Sequence, residues 1–565
     1  MYGLLIGRLL QGGGTNKART ISMVEAASIA GYGYVQGRCV YRAVSLVACS
    51  FILMCAAVAC SRDQQAGASA DPSRRRPNFL LYVSDTLRAD ALGCYGNATV
   101  ETPTLDALAA KGVLFEKAIA PSSWTRASMA SILTGLYPTA HKTEQRLDRL
   151  PDVPRMTELL RERGYRTANF TTNLNTAEVF GFRPGFDFFE QFGERREVSR
   201  VKISENTVQS EQLHEAIIAW LDGLEDDVPF FVIALAIDPH TPYEPPAEFD
   251  RYGDPNYQGR IAADMSQKTA QRIMNAADVR PDDQARIRSL YHGEVAHNDH
   301  TLATLVHHLE SIGRADNTIV VFTSDHGEEF WEHGIRGHGK TLFAQAIHVP
   351  LIWYDPAHMG GGRRIPNPVS SVDIMPTILA AAGITPPAWL QGKNLFAETD
   401  GMRAVFSELT LDGNKIWAAY VHPWKLIWNE GTGQESLFNM TSDPEQQQNL
   451  ASAEPVERTR LRAILDDHLR TSRKLGNDIS SGRVVLKESD IPEATRRVLG
   501  VDGLGYIGWD DEAEGDDAPD ESMVGANEIG EGRPDSDESS PAVEEAEDSA
   551  GDSASRASSV GEQDP

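Results

Sequence analysis

The segment Asn78-Phe-Leu-Leu-Tyr-Val-Ser84 is an almost unbroken apolar run that stops at Asp85. Runs of the same kind recur at Phe230 to Ile237, Thr318 to Thr323 and Val349 to Trp353. A strand with one wet face alternates apolar and polar residues, so a continuous apolar run needs cover on both faces, the situation of a strand inside a parallel sheet. Helical patterns at Thr104 to Lys111, Thr207 to Leu224 and Asp283 to Ile312 lie between the runs. The alternation predicts an α/β unit in which a mostly parallel sheet is flanked by helices. Ligands of such sheets gather at the carboxyl ends of the strands. Asp85, Asp238 and Asp325 each sit at or just beyond such an end.

Outside this unit the pattern changes. After about residue 395 come short strand-like pieces, Trp417 to Val421 and Trp424 to Trp428, then Leu437-Phe-Asn-Met-Thr-Ser-Asp-Pro444 and a helix near Glu457 to Leu469. We therefore divide the chain into a catalytic-sized domain at 77–395, a smaller α+β subdomain at 396–475, an extension of unassigned structure at 476–509 and an acidic tail at 510–565. In the tail, twenty acidic side chains against Arg533 and Arg556 carry 18 of the chain's 28 net negative charges. So little apolar surface cannot offset the entropy of ordering, and the tail is expected to be disordered. The remainder is only mildly acidic. It has no basic field for nucleic acid, so an anionic substrate must be drawn in by a local site, most simply a bound cation.

At the other end, Arg38 and Arg42 precede an apolar run from Ala43 to Ala59, followed by Cys60 and polar Ser61-Arg62-Asp63. This is an export-signal pattern, shorter than the ~20 residues a spanning helix needs. Ala57-Val58-Ala59-Cys60 resembles a bacterial lipobox, which would make Cys60 a lipidated first residue. Residues 1–60 are read as an extension with this signal and 61–76 as a linker. The expectation is an exported protein, periplasmic or a cell-envelope lipoprotein, touching membrane only through the signal or the lipid. Beyond Cys60 the only cysteine is Cys94, which excludes an internal disulfide in the mature chain.

Taken alone, Asp85 reads as a helix cap. Context adds Asp325-His326, in Thr323-Ser-Asp-His-Gly-Glu-Glu329, at the end of another buried run. Hard oxygens and an imidazole from separate strand ends are what a cation needs. In order along the chain, Asp85-Thr-Leu-Arg-Ala-Asp-Ala-Leu-Gly-Cys-Tyr-Gly96, Leu133-Thr-Gly-Leu-Tyr-Pro138, Asp238-Pro-His-Thr-Pro-Tyr243, Ser324-Asp-His-Gly-Glu-Glu329 and Gly337-His-Gly-Lys-Thr-Leu342 resemble the landmarks of the sulfatase family. Leu437 to Leu450 resembles its C-terminal Asp-Pro-x-Glu-x-x-Asn-Leu element, with Gln446 in place of the glutamate. The resemblance spans roughly residues 77 to 470. It implies an alkaline-phosphatase-like sheet, an ester substrate borne by a small molecule or a glycan, and a divalent cation (Ca, Mg, Mn or Zn).

Typical members read Cys-x-Pro-x-Arg-Ala-Ser-Leu-Leu-Thr-Gly, the cysteine becoming formylglycine. Here the segment is Pro121-Ser-Ser-Trp-Thr-Arg-Ala-Ser-Met-Ala-Ser-Ile-Leu-Thr-Gly135. Alignment on Ala130 to Gly135 places Thr125 at the nucleophile, whereas alignment on Arg126-Ala-Ser128 places Ser122 there but requires a three-residue insertion. Thr125 is preferred. It precedes a helical pattern, whose N–H groups and dipole favour anionic oxygens, although a threonine there can also be a plain cap. The resemblance then implies Asp85, Thr125, Asp325 and His326 around the cation, His240 near the sulfuryl or phosphoryl oxygens and His338 at the leaving group as general acid. His333 and Lys340 are weaker candidates, and His307-His308 reads as surface and core.

Two departures stand out. Thr172-Asn-Leu-Asn175 takes the place of the family's Lys-x-His pair, and the motif arginine is missing when Thr125 is the nucleophile. Threonine also lacks the collapse to an aldehyde by which formylglycine sheds sulfate. Hydrolysis of a sulfate or phosphate ester leads, with two alternatives: transfer of a phosphoryl-linked head group to envelope glycans or lipids, and a sulfated-glycan-binding homologue that has lost turnover.

Overall fold

The computed structural model describes residues 75–192, 210–261, 279–358, 361–397, 403–479, 482–493 and 495–496. The export signal with Cys60 and the acidic tail lie outside the described residues. Among the described residues no helix is long and apolar enough to cross a membrane.

The main sheet consists of β1 (Asn78–Ser84), β2 (Val113–Ile119), β3 (Arg166–Thr171), β4 (Phe188–Gln191), β5 (Phe230–Ala236), β6 (Thr318–Ser324), β7 (His348–Val349), β8 (Leu351–Tyr354) and β9 (Arg363–Ser370). Its hydrogen-bonded order is β7-β2-β8-β6-β1-β5-β3-β4, with β9 on β2. β1 lies at the centre, parallel to β5 on one side and β6 on the other. Every residue of β1, β5 and β6 is buried. Side chains alternate between faces: Phe79, Leu81 and Val83 enter one apolar cluster, Leu80 and Tyr82 the other. These two clusters are the cores on either side of the sheet, which is why the sequence shows runs instead of alternation.

The helices that cover the sheet include α1 (Pro103–Lys111), α2 (Thr125–Thr134), α3 (Ser210–Asp222), α4 (Pro281–Ser311) and α5 (Ile374–Ala381). The start expected for α3, Thr207, lies outside the described residues. α4 opens with Pro281 at its first turn beside Asp282 and Asp283, acids that suit the positive end of the helix dipole.

The run Val349 to Trp353 differs from the parallel expectation. Pro350 divides it into β7 and β8, which pair antiparallel with β2 and β6. A parallel return needs an element that carries the chain back to the opposite end of the sheet. Between Ser324 and His348 there is only the short ladder of Glu329–Phe330 with Arg336–Gly337 and one helical turn, Ala344–Ile347, so the chain re-enters at the same end. Direction is invisible to hydrophobicity. The strands missed from sequence, such as β2 with Glu116 and Lys117 half-exposed, carry charges that break their runs.

The C-terminal subdomain is an antiparallel meander of β10 (Val405–Leu409), β11 (Ile416–Val421), β12 (Trp424–Asn429) and β13 (Gln434–Asn439). α6 (Pro455–Ile479) lies across it with Leu461, Leu465 and Leu469 at helical spacing, packed into one cluster with Trp417, Leu426 and Leu437. The subdomain bonds directly to the main domain. Ser407 Oγ donates to the Ala120 carbonyl at 2.6 Å, the Glu408 amide to the Pro121 carbonyl at 2.8 Å, and buried Lys425 Nζ to the Leu342 carbonyl at 2.7 Å. The chain just before α2 is thereby pinned.

Candidate active site

Strand register assembles the centre of the site. Ser84 of β1 stands opposite Ser324 of β6 and Ala236 of β5, so the next residues, Asp85 and Asp325, emerge side by side. The Asp85 amide donates to the Ala236 carbonyl at 2.9 Å. Thr86 follows with φ 59°, the left-handed region, which is strained for a β-branched residue and costs ~1–3 kcal/mol. In return its amide donates to Asp325 Oδ1 at 3.2 Å, beside the His326 amide at 2.8 Å. Gly327 is required for close approach: a Cβ there would run into the Gln345 carbonyl.

Asp85, Asp325 and His326 are all 0% exposed, and one ligand atom from each falls within 4.8 Å of the others. Asp85 Oδ2 accepts from Asn173 Nδ2 at 2.5 Å, but Asp85 Oδ1 and Asp325 Oδ2 have no hydrogen-bond partner among the described residues. Burial, reinforced by the neighbouring Asp325, pushes the Asp85 carboxyl well above the usual carboxylate range. His326 Nδ1 lies 2.9 Å from the Gly327 carbonyl, which can only accept, so Nδ1 carries the proton and Nε2 presents its lone pair. Burial lowers the pKa of this imidazole in spite of the adjacent Asp325, in keeping with the neutral ring. Nε2 stands 3.4 Å from Asp325 Oδ2 and 3.9 Å from Asp85 Oδ1. Two orphaned buried carboxylate oxygens and an imidazole nitrogen converging on one point fit a divalent cation, which would satisfy both oxygens and would take the Nε2 lone pair in place of a hydrogen bond.

Thr125 is the first residue of α2, 1% exposed, with its Oγ1 3.2 Å from His326 Nε2. Because Nε2 accepts, the threonine hydroxyl donates. Ser128, one turn on, anchors the helix to the Asp325 carbonyl at 2.5 Å. Ser122 is also buried, yet among the described contacts it makes none to Asp85, Asp325 or His326. Thus the structure brings Asp85, Thr125, Asp325 and His326 together and leaves Ser122 aside.

The two histidines read as substrate groups form an adjoining wall. The rings of His338 and His326 have centroids 4.5 Å apart, and those of His338 and His240 5.1 Å. Burial, with the neighbouring His338, drives the His240 pKa down to about 3, and its Nδ1 donates to the Thr241 carbonyl at 2.6 Å. His338 Nδ1 lies 3.1 Å from Glu328 Oε1. Burial works to raise the Glu328 pKa, but His338 and its hydrogen bond outweigh this and hold it down to about 2. Asp238, although at a strand end, turns to the Ser210 amide at 3.0 Å, where it fixes the start of α3. His333 stacks on Phe343 with ring centroids 3.6 Å apart, and Lys340 is half-buried after Gly339, whose amide donates to the Ser123 carbonyl at 2.9 Å. Of the helical pair, His308 meets Asp222 at 2.9 Å and His307 lines a 270 Å³ cleft between α1 and α4.

Sequence reasoning did not single out Asn173, Asn175, Arg126, Glu328 or Tyr243. Asn173 Oδ1 accepts from the Asn175 amide at 2.9 Å, and Asn175 in turn accepts from Arg126 through its carbonyl at 3.1 Å and Oδ1 at 3.0 Å. The segment that lacks Lys-x-His therefore links cation ligand Asp85 to a buried guanidinium next to Thr125. Arg126 lies over the Phe180 ring at 3.4 Å, and burial lowers its pKa to about 9. The one available signal was the departure from the family pattern at 172–175.

Comparison with known proteins assigns the family. Residues 77–384 match the sequence model of the family described as Sulfatase. The uncharacterised sulfatase YidJ of Escherichia coli is 26% identical over 66% of this chain and 83% of its own length. The ulvan-active sulfatase of Formosa agariphila is 26% identical over 79% of this chain and 90% of its own. Among solved structures, the phosphonate monoester hydrolase of Agrobacterium radiobacter superposes with TM-score 0.59 at 24% identity, covering 73% of this chain and all of that one.

Proposed function

The chain belongs to the sulfatase family and is an ester hydrolase of the sulfuric-ester type, and from that premise we propose that it works through Thr125 at a cation site made by Asp85, Asp325 and His326. The observation that carries the proposal is the position of Thr125 Oγ1, 3.2 Å from His326 Nε2 and beside two carboxylate oxygens that have no hydrogen-bond partner among the described residues.

A bound divalent cation would lower the cost of forming the threonine alkoxide and offset the charge of the ester group. The protein supplies the rest. The first turn of α2 directs backbone N–H groups at oxygens around Thr125. Thr125 Oγ1, its hydroxyl proton released to solvent, forms a bond to the sulfur or phosphorus as the bond to the departing alcohol breaks, and His338 gives that alcohol a proton. Water then cleaves the ester on Thr125, since threonine has no aldehyde to collapse to. His240, neutral in its buried setting, offers its other nitrogen to the non-bridging oxygens.

The substrate is an ester on a small molecule or a glycan, in keeping with the ulvan-active relative, and the enzyme acts outside the cytoplasm if residues 1–60 direct export as their pattern suggests. A panel of aryl sulfate, phosphate monoester, phosphodiester and phosphonate ester tests the reading, with Thr125→Ala, Ser122→Ala and metal analysis beside it. Cleavage of one class, lost in Thr125→Ala and on chelation, is expected. Undiminished turnover in Thr125→Ala would overturn the nucleophile, and full activity with no bound metal would overturn the cation.

A further inference from the structure

We propose that Glu328 is the positioning residue of His338, holding its ring so that Nε2 is the nitrogen that meets the leaving oxygen of the ester. This rests on the reading of His338 as proton donor. Glu328 is 0% exposed and both of its oxygens are engaged: Oε1 with His338 Nδ1 at 3.1 Å, Oε2 with the Tyr243 hydroxyl at 3.0 Å. A carboxylate only accepts, so the His338 proton on that side belongs to Nδ1 and proton exchange with substrate falls to Nε2.

The carboxylate is itself immobilised. The Glu328 carbonyl accepts from Arg88 Nη1 at 3.1 Å, and Arg88 is held by Asp90 and Glu332, each at 2.6 Å. Turning Glu328 away would leave a buried charge without its partners, a large cost in this setting. Tyr243 lies three residues beyond His240 on the same loop, Glu328 follows the cation ligands by two residues, and His338 leaves the short ladder of 329–330 with 336–337. One carboxylate therefore ties three separate segments of the site to each other. His338 stands on a hairpin with many soft torsions, and a ring on such a segment contributes to catalysis only when its orientation is fixed.

In the proposed step, Thr125 reacts as the alkoxide, its hydroxyl proton already released to solvent, and His338 Nε2 gives its proton to the alcohol oxygen as the oxygen–sulfur or oxygen–phosphorus bond breaks, leaving a neutral ring with Nδ1 still protonated. Glu328 remains ionised and exchanges no proton. When water later cleaves the ester on Thr125, one of its protons returns to Nε2, its oxygen bonds to the sulfur or phosphorus, and Thr125 leaves as the alkoxide that began the cycle.

The effect of Glu328 must scale with how much the leaving group needs a proton. Aryl esters whose phenols range from acidic to weakly acidic read this directly, using the full chain with its metal. Glu328→Ala should lower kcat/KM about 100-fold for the poorest leaving group and less than about threefold for the best, with KM little changed. Glu328→Gln, whose amide oxygen can still accept from Nδ1, should recover part of the loss, and Tyr243→Phe should show the same trend more weakly. The double variant Glu328→Ala with His338→Ala should be no slower than His338→Ala. Nitrogen NMR of labelled histidine should show the His338 Nδ1 proton in the wild type and its loss in Glu328→Ala, independently of turnover. If Glu328→Ala does not fold, Glu328→Gln and Tyr243→Phe carry the same leaving-group test. An equal loss for every leaving group, or losses that multiply in the double variant, overturns the proposal while the hydrolase reading stands. A wild type that cleaves no ester overturns both.

Discussion

Asp325 and Glu328 are three residues apart and equally buried, yet their carboxylates are treated in opposite ways. Asp325 Oδ2, like Asp85 Oδ1, has no hydrogen-bond partner among the described residues, whereas both oxygens of Glu328 are occupied. An unpartnered buried carboxylate is costly and is kept only where something else compensates it. A doubly partnered one is held still, and holds its partners still. The first arrangement reads as a binding site for a cation and the second as a frame for a histidine, side by side on one loop.

The largest expected effect breaks the comparison on the cation side. Asp325→Ala should strip the bound divalent metal, measured by elemental analysis, and reduce kcat/KM by at least about 10³-fold. Asp325→Asn should also unfold at a higher temperature than the chelated wild type, because it removes a buried charge that nothing else neutralises. If chelated wild type is as stable as Asp325→Asn, the oxygens are compensated in another way. Next, Thr125→Ala should lower turnover by about 10²- to 10³-fold while metal content stays within error of wild type, which separates the nucleophile from the ligands in the same pair of assays.

His141 sharpens the other side, as a buried group satisfied entirely by hydrogen bonds. Its Nδ1 accepts from the Thr143 amide at 3.2 Å and its Nε2 meets Ser131 Oγ at 3.0 Å. Burial holds its pKa down to about 4 although Glu408 lies nearby. With the folded value below the unfolded one, near 6.5, the unfolded chain binds more protons between those limits, so stability falls as pH drops through that window. The loss from this group at pH 4 relative to pH 7 should be on the order of 3 kcal/mol. Denaturant titrations should show that much less acid sensitivity in His141→Gln, which preserves the hydrogen bonds without the titration. An unchanged pH profile would contradict the neutral ring.

Smaller effects follow at the margin of the cation site. Asn173→Ala, which removes the donor to Asp85 Oδ2, should weaken metal affinity about 10- to 100-fold as read by calorimetry, without altering metal stoichiometry at saturation. Ser122→Ala should leave kcat/KM within about twofold of wild type in the same ester assay, and a loss matching Thr125→Ala would reverse the choice between the two hydroxyls.

How much of this was legible in the chain depends on the kind of signal. β1, β5 and β6 are readable because burial on both faces leaves a continuous apolar run, and their final residues mark the ligand end. β7 and β8 were legible as buried strands but not in direction, which depends on where the preceding loop returns. Asp238 shows the limit of strand-end reasoning, since an acid one residue further past its strand than Asp85 is spent on Ser210 at the start of α3. Glu328 lies within the motif Ser324 to Glu329, yet nothing local distinguishes it from Glu329, whose carboxylate instead takes the Thr341 hydroxyl at 2.6 Å.

By itself the sequence determined the strand-and-helix alternation, the carboxylates and imidazole at the strand ends and the two rival hydroxyls, because burial and residue chemistry are properties each segment carries alone. The tertiary structure decided that Asp85 and Asp325 meet, through the parallel register of β1 and β6. It also set Thr125 against His326 and spread Tyr243, Glu328 and His338 into one hydrogen-bonded chain. Those relations join residues up to 240 positions apart, such as the pair Asp85 and Asp325. They arise from strand pairing and loop closure, which no single stretch of the chain encodes.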